Sequence, residues 1–176
     1  MATYKIDAAH SEITFKVKHL VISTVSGNFS KFDATMESSK EDFSDASISF
    51  EADVNSISTN NEQRDTHLKS ADFFHAEKFP TITFKSTSFE KQSGSDYALK
   101  GDLSIFGITK PVSLNVEYGG NVIDPWGQNK VGFEIEGKIK RSDFGLKWNA
   151  LTEAGGAVVS DEVRLFLNVE MLKQVA

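Results

Sequence analysis

The chain has 176 residues, a formal net charge of −6, no cysteine and 14 phenylalanines. A chain of this length usually forms one domain, and we predict a single domain over residues 1–176. The absence of cysteine excludes disulfides, thiol nucleophiles and thiolate metal sites. The negative charge argues against nucleic acid as a partner, because neutralising phosphates requires clustered Lys and Arg.

Alternation of apolar and polar residues with a period of two runs through most of the chain. This period places apolar side chains on one face of a strand, and it is typical of antiparallel sheets with one buried face. A short ninth strand at Thr3–Asp7 is compatible with the same pattern. The eight main runs are Ile13–His19, Phe32–Met36, Ile48–Val54, Ile82–Phe84, Tyr97–Ile105, Val112–Tyr118, Val131–Arg141 and Val163–Met171.

One segment departs from this alternation. The sequence from Thr59 to Glu62 fits a capping box, in which Thr59 is the N-cap and Glu62 bonds back to it. We predict a helix over residues 60–71, with Asp65 and Lys69 paired on one face. One helix among eight strands would cap an open end of a barrel or cover one face of a sheet.

Eight strands with one apolar face can form a sandwich or a closed barrel. The runs at 97–105 and 131–141 are long, and long strands joined in sequence favour an up-and-down barrel, which leaves no sheet edge. The predicted fold is all-β: an eight-stranded antiparallel β-barrel with one α-helix in a connection. Such an interior can be filled by side chains or can hold one small ligand, and the pattern leaves both alternatives open.

The apolar strand faces would line the barrel interior. They carry phenylalanine and aliphatic side chains, with small residues such as Ala34, Gly101 and Gly137 between them. This lining cannot stabilise a charged molecule, but it can take up an apolar one at about 0.8 kcal/mol for each buried CH₂ group. If the interior holds a ligand, we predict a wall made of Phe15, Val17, His19, Phe32, Phe50, Phe84, Leu103, Leu114, Phe133, Ile135 and Leu165.

Other aromatic residues lie outside these faces. Trp126 and Trp148 flank turns, where we expect them to pack under loops or at a barrel end. Three phenylalanines that follow the predicted helix are expected to attach it to the barrel. Three more are predicted on outer strand faces, where they would cover the helix, a loop or a partner. The first three are Phe73, Phe74 and Phe79, and the others are Phe29, Phe106 and Phe166.

A series of short motifs extends in order over nearly the whole chain: Asp7–His19, Val25–Phe29, Ser56–Thr59, Arg64–Phe74, Phe79–Pro80, Gly101–Leu103, Gly107–Val112, Arg141–Leu146 and Ser160–Val163. In these motifs the sequence resembles the YceI-like family of lipocalin-like polyisoprenoid-binding proteins. The resemblance is strongest at Ser56–Thr59 followed by Arg64–Phe74, and it is specific because so many motifs recur in the same order.

The resemblance implies a lipocalin-like form of the eight-stranded barrel, with a helix in one connection. It also implies a long polyisoprenoid, such as a polyprenyl phosphate or a quinone tail, in the apolar interior. It implies no cofactor, and it is compatible with a homodimer because relatives are often dimeric.

No integral membrane segment is predicted, since no apolar run approaches the length of a membrane span. The sequence as it stands shows no export signal, so a cytoplasmic location is expected, or a periplasmic one if a signal has been removed.

Arg64 and Arg141 are the candidate polar side chains of the site. Either could hold a phosphate headgroup or act as a gate at the barrel mouth, because arginine binds phosphate in a bidentate manner. Either could instead donate hydrogen bonds to backbone carbonyls and fix the helix or a turn. We favour the structural role, and we expect Arg64→Ala to lower stability more than ligand affinity.

No motif for metal binding or catalysis is found. His10 and His19 are nine residues apart and His67 and His75 eight apart, and neither spacing is typical of a metal site. Neither a nucleophile elbow nor a phosphate-binding glycine loop is present. The sequence therefore predicts a carrier without chemistry of its own; the alternative is a structural or interaction barrel with a core filled by side chains.

Overall fold

The computed structural model describes residues 1–147 and 159–175. Its eleven strands form one antiparallel sheet that closes into a barrel of eight staves, each stave being one passage of the chain along the wall. The predicted eight-stranded antiparallel barrel is therefore confirmed. The strands are β1 (Ala2–Ile6), β2 (Glu12–His19), β3 (Ser23–Phe29), β4 (Phe32–Ser38), β5 (Ser47–Asp53), β6 (Ile57–Ser58), β7 (Thr81–Ser93), β8 (Asp96–Ile105), β9 (Ile108–Ile123), β10 (Asn129–Lys140) and β11 (Val159–Lys173).

Three staves are broken in the middle, which is why eleven strands make eight staves. The 3₁₀ helix Ala8–His10 separates β1 from β2, a short connection separates β3 from β4, and the 3₁₀ helix Val54–Ser56 separates β5 from β6. The long strand β11 pairs with β1 near its C-terminal end and with β2 over its N-terminal part. Since β4 also pairs with β1 and β3 with β2, the barrel is closed along both halves.

An aspartate begins each of these two 3₁₀ helices. Asp7 accepts a hydrogen bond from the backbone N–H of Ala9 at 3.2 Å, and Asp53 accepts one from Asn55 at 2.9 Å. The short carboxylate of aspartate competes with strand pairing for nearby N–H groups, so it interrupts a strand. The additional strand expected near the N-terminus is β1, and it forms the first half of a stave rather than a ninth stave.

The loop between β4 and β5, residues 39–46, closes one end of the barrel, which we call the plugged end. Phe43 is 2% exposed and inserts from this loop into the interior. Its ring meets those of Tyr4, Tyr118 and Phe133 edge-on, with centroids 5.5 to 5.7 Å apart. Edge-to-face contacts add to the energy of burying the rings, so this cluster closes the barrel at that end.

Hydrogen bonds fix the same loop at its ends and in its middle. The hydroxyl of Ser38 donates to Asp45 Oδ1 at 2.6 Å, and this bond holds the pKa of the Asp45 carboxyl below its usual value. The hydroxyl of Tyr97 donates to the carbonyl of Asp42 at 2.7 Å. These bonds hold Phe43 in place although its φ of 59° is a left-handed value that non-glycine residues rarely adopt.

The helix α1 (Glu62–Lys69) lies at the opposite end of the barrel, which we call the helix end. The segment that follows it runs to the turn between β8 and β9, with the Phe79 ring 5.1 Å from that of Phe106. The Phe74 ring lies 6.4 Å from that of Phe29 on β3. These contacts attach the helix and its following segment to the barrel, as predicted.

The predicted bounds of the helix are wrong by about two residues at each end. The helix spans Glu62–Lys69 instead of 60–71, and its N-cap is Asn61, whose side chain accepts a backbone N–H of the first turn. Thr59 is not the cap, because its hydroxyl donates to the carboxylate of Asp65 at 2.6 Å. That bond also occupies the carboxylate that was expected to pair along the helix.

Candidate ligand-binding cavity

A contiguous cavity of about 410 Å³ occupies the barrel between its two ends. Its walls are almost entirely apolar, and its volume is in the range of known small-molecule sites. The presence of this cavity decides between the two alternatives for the interior, because a barrel filled by side chains would leave no such space.

Most of the predicted wall residues surround this cavity. Neighbouring strands bring them side by side: Phe50 on β5 is opposite Phe84 on β7, which in turn is opposite Leu103 on β8. The structure places ten of the eleven predicted side chains on the lining, namely Phe15, Val17, His19, Phe50, Phe84, Leu103, Leu114, Phe133, Ile135 and Leu165.

Phe32 is the one predicted wall residue that the structure does not place on the lining. Ala34 and Met36, on the same face of β4, line the cavity, but Phe32 itself is half-buried against the core and does not belong to the lining. It is the first residue of β4, at the break between two strands. The alternation of a strand is therefore a poor guide at the residue where that strand begins.

Two lining residues that the sequence analysis missed show the same effect. Phe29 was expected outside, but it is 8% exposed, lines the cavity and lies 5.7 Å from the Phe15 ring. The break between β3 and β4 gives each strand its own register. Extending the alternation of β4 back from Phe32 across this break therefore assigns Phe29 to the wrong face.

Phe89 reaches the interior for a related reason. A β-bulge between Ser86 and Ser88 shifts the register of β7, so that Phe89 points inward and is 3% exposed. The sequence does carry a signal for this bulge, since Phe84 and Phe89 are five residues apart and regular alternation cannot bury both.

Glycines on the inner faces keep the centre of the barrel open. A Cβ atom on Gly101 would lie 2.5 Å from the Phe84 ring, and one on Gly27 would overlap the Phe15 ring. Each ring therefore lies against the glycine of the neighbouring strand, in space that a larger side chain would occupy. Small residues here make room for aromatic rings beside the wall.

The lining becomes less buried from the plugged end to the helix end. Met36 is 1% exposed, whereas Val17, His19 and Val163 are half-buried and Lys18 is exposed. All five lie on the lining. Within the part of the chain that the structure describes, the cavity is thus most accessible at the helix end, where β2 ends and β11 begins.

Arg141 is a buried cation at the helix end, 6% exposed, at the start of the 3₁₀ helix Arg141–Phe144. Its guanidinium donates to the carbonyls of Ser160 at 2.9 Å, Leu146 at 3.0 Å and Val159 at 3.3 Å. Burial lowers the pKa of this group, and the nearby Asp161 acts in the opposite direction. The arrangement joins β10 to β11, as a structural arginine does.

Arg64 also donates to the backbone. Its Nε donates to Thr59 Oγ1 and its Nη2 to the Thr59 carbonyl, both at 2.7 Å. The same Thr59 hydroxyl donates onward to Asp65, so the three side chains form one connected network. Arg64 lines the cavity as well, but its planar fork is directed at Thr59.

One group of potential metal ligands occurs among the described residues, and spacing along the chain did not reveal it. Atoms of Asp7, His10 and Glu170 lie within 4.8 Å of one another. Lys130 Nζ is 3.4 Å from Asp7 and 3.8 Å from Glu170, so a lysine already supplies positive charge there. A hydrogen bond with His10 lowers the pKa of Asp7. We interpret the group as an ion-pair network.

The comparison with protein families agrees with this geometry. A family model described as the YceI-like domain matches residues 4–171. The chain belongs to the YceI-like family. Protein YceI of Salmonella newport (strain SL254) is 41% identical over 175 residues, which is 98% of this chain and 88% of that relative.

Solved structures share the barrel of this YceI-like protein. BcnA of Burkholderia cenocepacia superposes with a TM-score of 0.82 at 24% identity, covering 94% of this chain and 98% of that one. A polyisoprenoid binding domain from Saccharophagus degradans, implicated in plant cell wall breakdown, superposes with a TM-score of 0.71 at 16% identity, covering 97% and 98%. Both similarities show a common fold.

Trp126 is 81% exposed, so it does not pack under a loop as expected, and Trp148 lies outside the described residues. Phe166 is on the outer wall, as predicted, with Lys16 Nζ 4.9 Å from its ring. Among the described residues, no helix has the length and apolar character to cross a bilayer.

Arg64→Ala is expected to destabilise the protein by about 2 kcal/mol, because two charge-assisted hydrogen bonds to Thr59 are lost. Affinity for a polyprenyl phosphate should change by less than about threefold, since the guanidinium is already engaged by Thr59. Urea unfolding and ligand titration measure the two effects. Arg164→Ala, at an exposed position on β11, is the control and should change neither. A large loss of affinity at constant stability would assign Arg64 to the headgroup.

Proposed function

We propose that the protein is a carrier that holds a long-chain polyisoprenoid, such as a polyprenyl phosphate or a quinone tail, in the barrel cavity and performs no chemistry on it. The observation that carries the proposal is the contiguous cavity of about 410 Å³ with apolar walls. A polyisoprenoid is a long hydrocarbon, so it gains about 0.8 kcal/mol for each CH₂ group that leaves water.

The shape of the cavity supports a chain rather than a compact ligand. The lining extends from Met36, towards the plugged end, to His19 and Arg64 at the helix end, so the cavity runs along the barrel. The Saccharophagus domain of the same fold is a polyisoprenoid binding domain, which supports the same ligand class here.

The polar groups of the lining support binding rather than catalysis. Among the described residues, the ionisable side chains on the lining are all basic: Lys18, His19, Arg64, His67 and Arg141. General acid–base or nucleophilic chemistry requires a positioned pair of groups within hydrogen-bond reach of the substrate. The two arginines donate to backbone carbonyls, and His67 is 2.9 Å from Asp72 at the surface. A phosphate headgroup would meet no carboxylate on this described lining.

Organic extraction of the purified protein, followed by mass spectrometry, tests the proposal. We expect a polyprenyl lipid, and its mass identifies the headgroup and the number of isoprene units. In parallel, protein stripped of lipid should bind geranylgeraniol, a C20 polyprenol, with a stoichiometry of one. Recovery of no lipid together with no binding of the polyprenol would overturn the proposal. The homodimer expected from the family resemblance stays a prediction, which light scattering of the same sample tests.

A further inference from the structure

The turn between β2 and β3 exposes three consecutive apolar side chains at the helix end. Leu20, Val21 and Ile22 are 37%, 77% and 85% exposed, and we call them the apolar tip. Single exposed apolar residues are common on protein surfaces, but a continuous run of large ones marks a contact surface.

The backbone of the apolar tip is strained. The N–H of Ile22 donates to the carbonyl of His19 at 3.3 Å, and Leu20 and Val21 both have positive φ, at 54° and 66°. Positive φ at both central residues defines a type I′ turn, which strongly favours Asn-Gly. A leucine and a β-branched valine are conformationally unfavourable at these positions, and their exposed apolar side chains also lower the solubility of the protein. Strain of this kind is retained where a function requires the residues.

The hairpin that carries the tip is basic, although Asp161 and Glu162 lie on the neighbouring strand β11 at the same end. Residues 13–32 contain Lys16, Lys18 and Lys31 but no aspartate or glutamate, whereas the whole chain has a net charge of −6. Lys18 is exposed and lies two residues before the tip. An exposed apolar turn with a lysine beside it suits the surface of a bilayer, where anionic headgroups overlie hydrocarbon.

The position of the tip links it to the cavity. The strand that leads into it carries Val17 and His19 on the lining, at the end where the lining is most accessible. A second exposed apolar turn, with Val122, Ile123 and Trp126, connects β9 and β10 at the plugged end. Docking through that second turn would present the closed end of the barrel to the partner.

We propose that the apolar tip inserts into the surface of a bilayer that contains anionic lipids and places the mouth of the cavity against it. The inference rests on the proposed function, because a polyisoprenoid resides in bilayers and its hydrocarbon chain is poorly soluble in water. Docking at the mouth gives the chain a short path between bilayer and barrel.

Co-sedimentation with ligand-free vesicles tests this inference. We expect the wild type to bind vesicles of phosphatidylcholine containing one third phosphatidylglycerol, and to bind pure phosphatidylcholine more weakly. Leu20→Asn, Val21→Gly and Ile22→Ser in one variant should reduce partitioning about 100-fold, because two or three apolar side chains no longer enter the bilayer. The variant should melt at the same or a higher temperature, since Asn-Gly fits the type I′ turn.

The turn at the plugged end supplies a matched control. Val122→Thr with Ile123→Thr removes a similar apolar area from the opposite end, and this variant should bind vesicles like the wild type. Equal vesicle binding by the wild type and the tip variant would overturn the inference, and so would loss of binding in the control variant. A wild-type dimer that dissociates in the tip variant, with no vesicle binding by either, would also overturn it by showing that the tip joins two copies of the chain.

Binding of geranylgeraniol to the same proteins separates this inference from the proposed function. Vesicle binding that depends on the tip, without any binding of the polyprenol, would support the docking surface and refute the carrier. Binding of the polyprenol without any vesicle binding would refute the docking surface alone.

Discussion

Leu165→Trp is expected to weaken binding of geranylgeraniol by at least about 100-fold. Leu165 lies on the lining, between Phe15 on β2 and Gly137 on β10, so an indole at this position would obstruct the lumen. Exclusion of about five CH₂ groups of the ligand corresponds to about 4 kcal/mol, and part of this is recovered when the ligand moves. Titration with radiolabelled polyprenol measures the loss.

The neighbouring position supplies the control for this substitution. Phe166 lies on the outer wall, beneath Lys16, so Phe166→Trp introduces the same indole one residue away without entering the cavity. We expect polyprenol affinity within about twofold of the wild type for this variant. Thermal midpoints within a few degrees would show that both variants are folded. Wild-type affinity in Leu165→Trp would mean that the ligand does not occupy this cavity.

Phe43→Ala is expected to lower the free energy of unfolding by about 3–5 kcal/mol. The ring is 2% exposed and contacts Tyr4, Tyr118 and Phe133, so its removal leaves a void at the plugged end. For a chain of this length, the loss corresponds to a fall in melting temperature of about 10 °C. Chemical denaturation and calorimetry measure the two quantities.

Phe166→Ala is the matched control for the plug. It removes the same ring from the outer wall, where the described contact is with Lys16 Nζ at 4.9 Å, and we expect a loss of no more than about 1 kcal/mol. Equal losses in Phe43→Ala and Phe166→Ala would contradict the assignment of Phe43 as the closure of the barrel.

The strands that the sequence revealed are the long, uninterrupted ones. In β8, β9 and β10, the alternation of apolar and polar residues is repeated several times along the strand. The local pattern alone therefore identifies both the strand and its inner face. The strands β3 and β6 were missed because β3 contains Gly27 and Asn28 instead of a clear apolar face, and β6 is only two residues long. They form because they pair with neighbouring strands of the wall: β3 pairs with β2 along most of its length, and β6 pairs with the end of β3.

The same reasoning explains which wall residues were predicted. Phe15, Phe50 and Leu103 lie where the pairing of their strands is regular, and there an inward position follows from the alternation of side chains. Phe29 lies next to the break between β3 and β4, and Phe89 lies after the bulge in β7. At such a place one additional residue moves all the following side chains to the other face of the strand. A prediction from alternation therefore holds within a strand and fails where the register changes.

The sequence by itself determined that this protein is built of antiparallel strands with one apolar face, because the period of side chains along a strand is a local property, and the lengths of the strands favoured a barrel. Only the tertiary structure decided that the interior is open and where it is accessible. Those properties depend on contacts between distant residues, such as Phe43 with Tyr4 and Phe133, and Phe15 with Gly27. The same number of phenylalanine side chains could fill the interior of a barrel. Here the glycines next to the rings leave room for them at the wall, and a cavity remains between them.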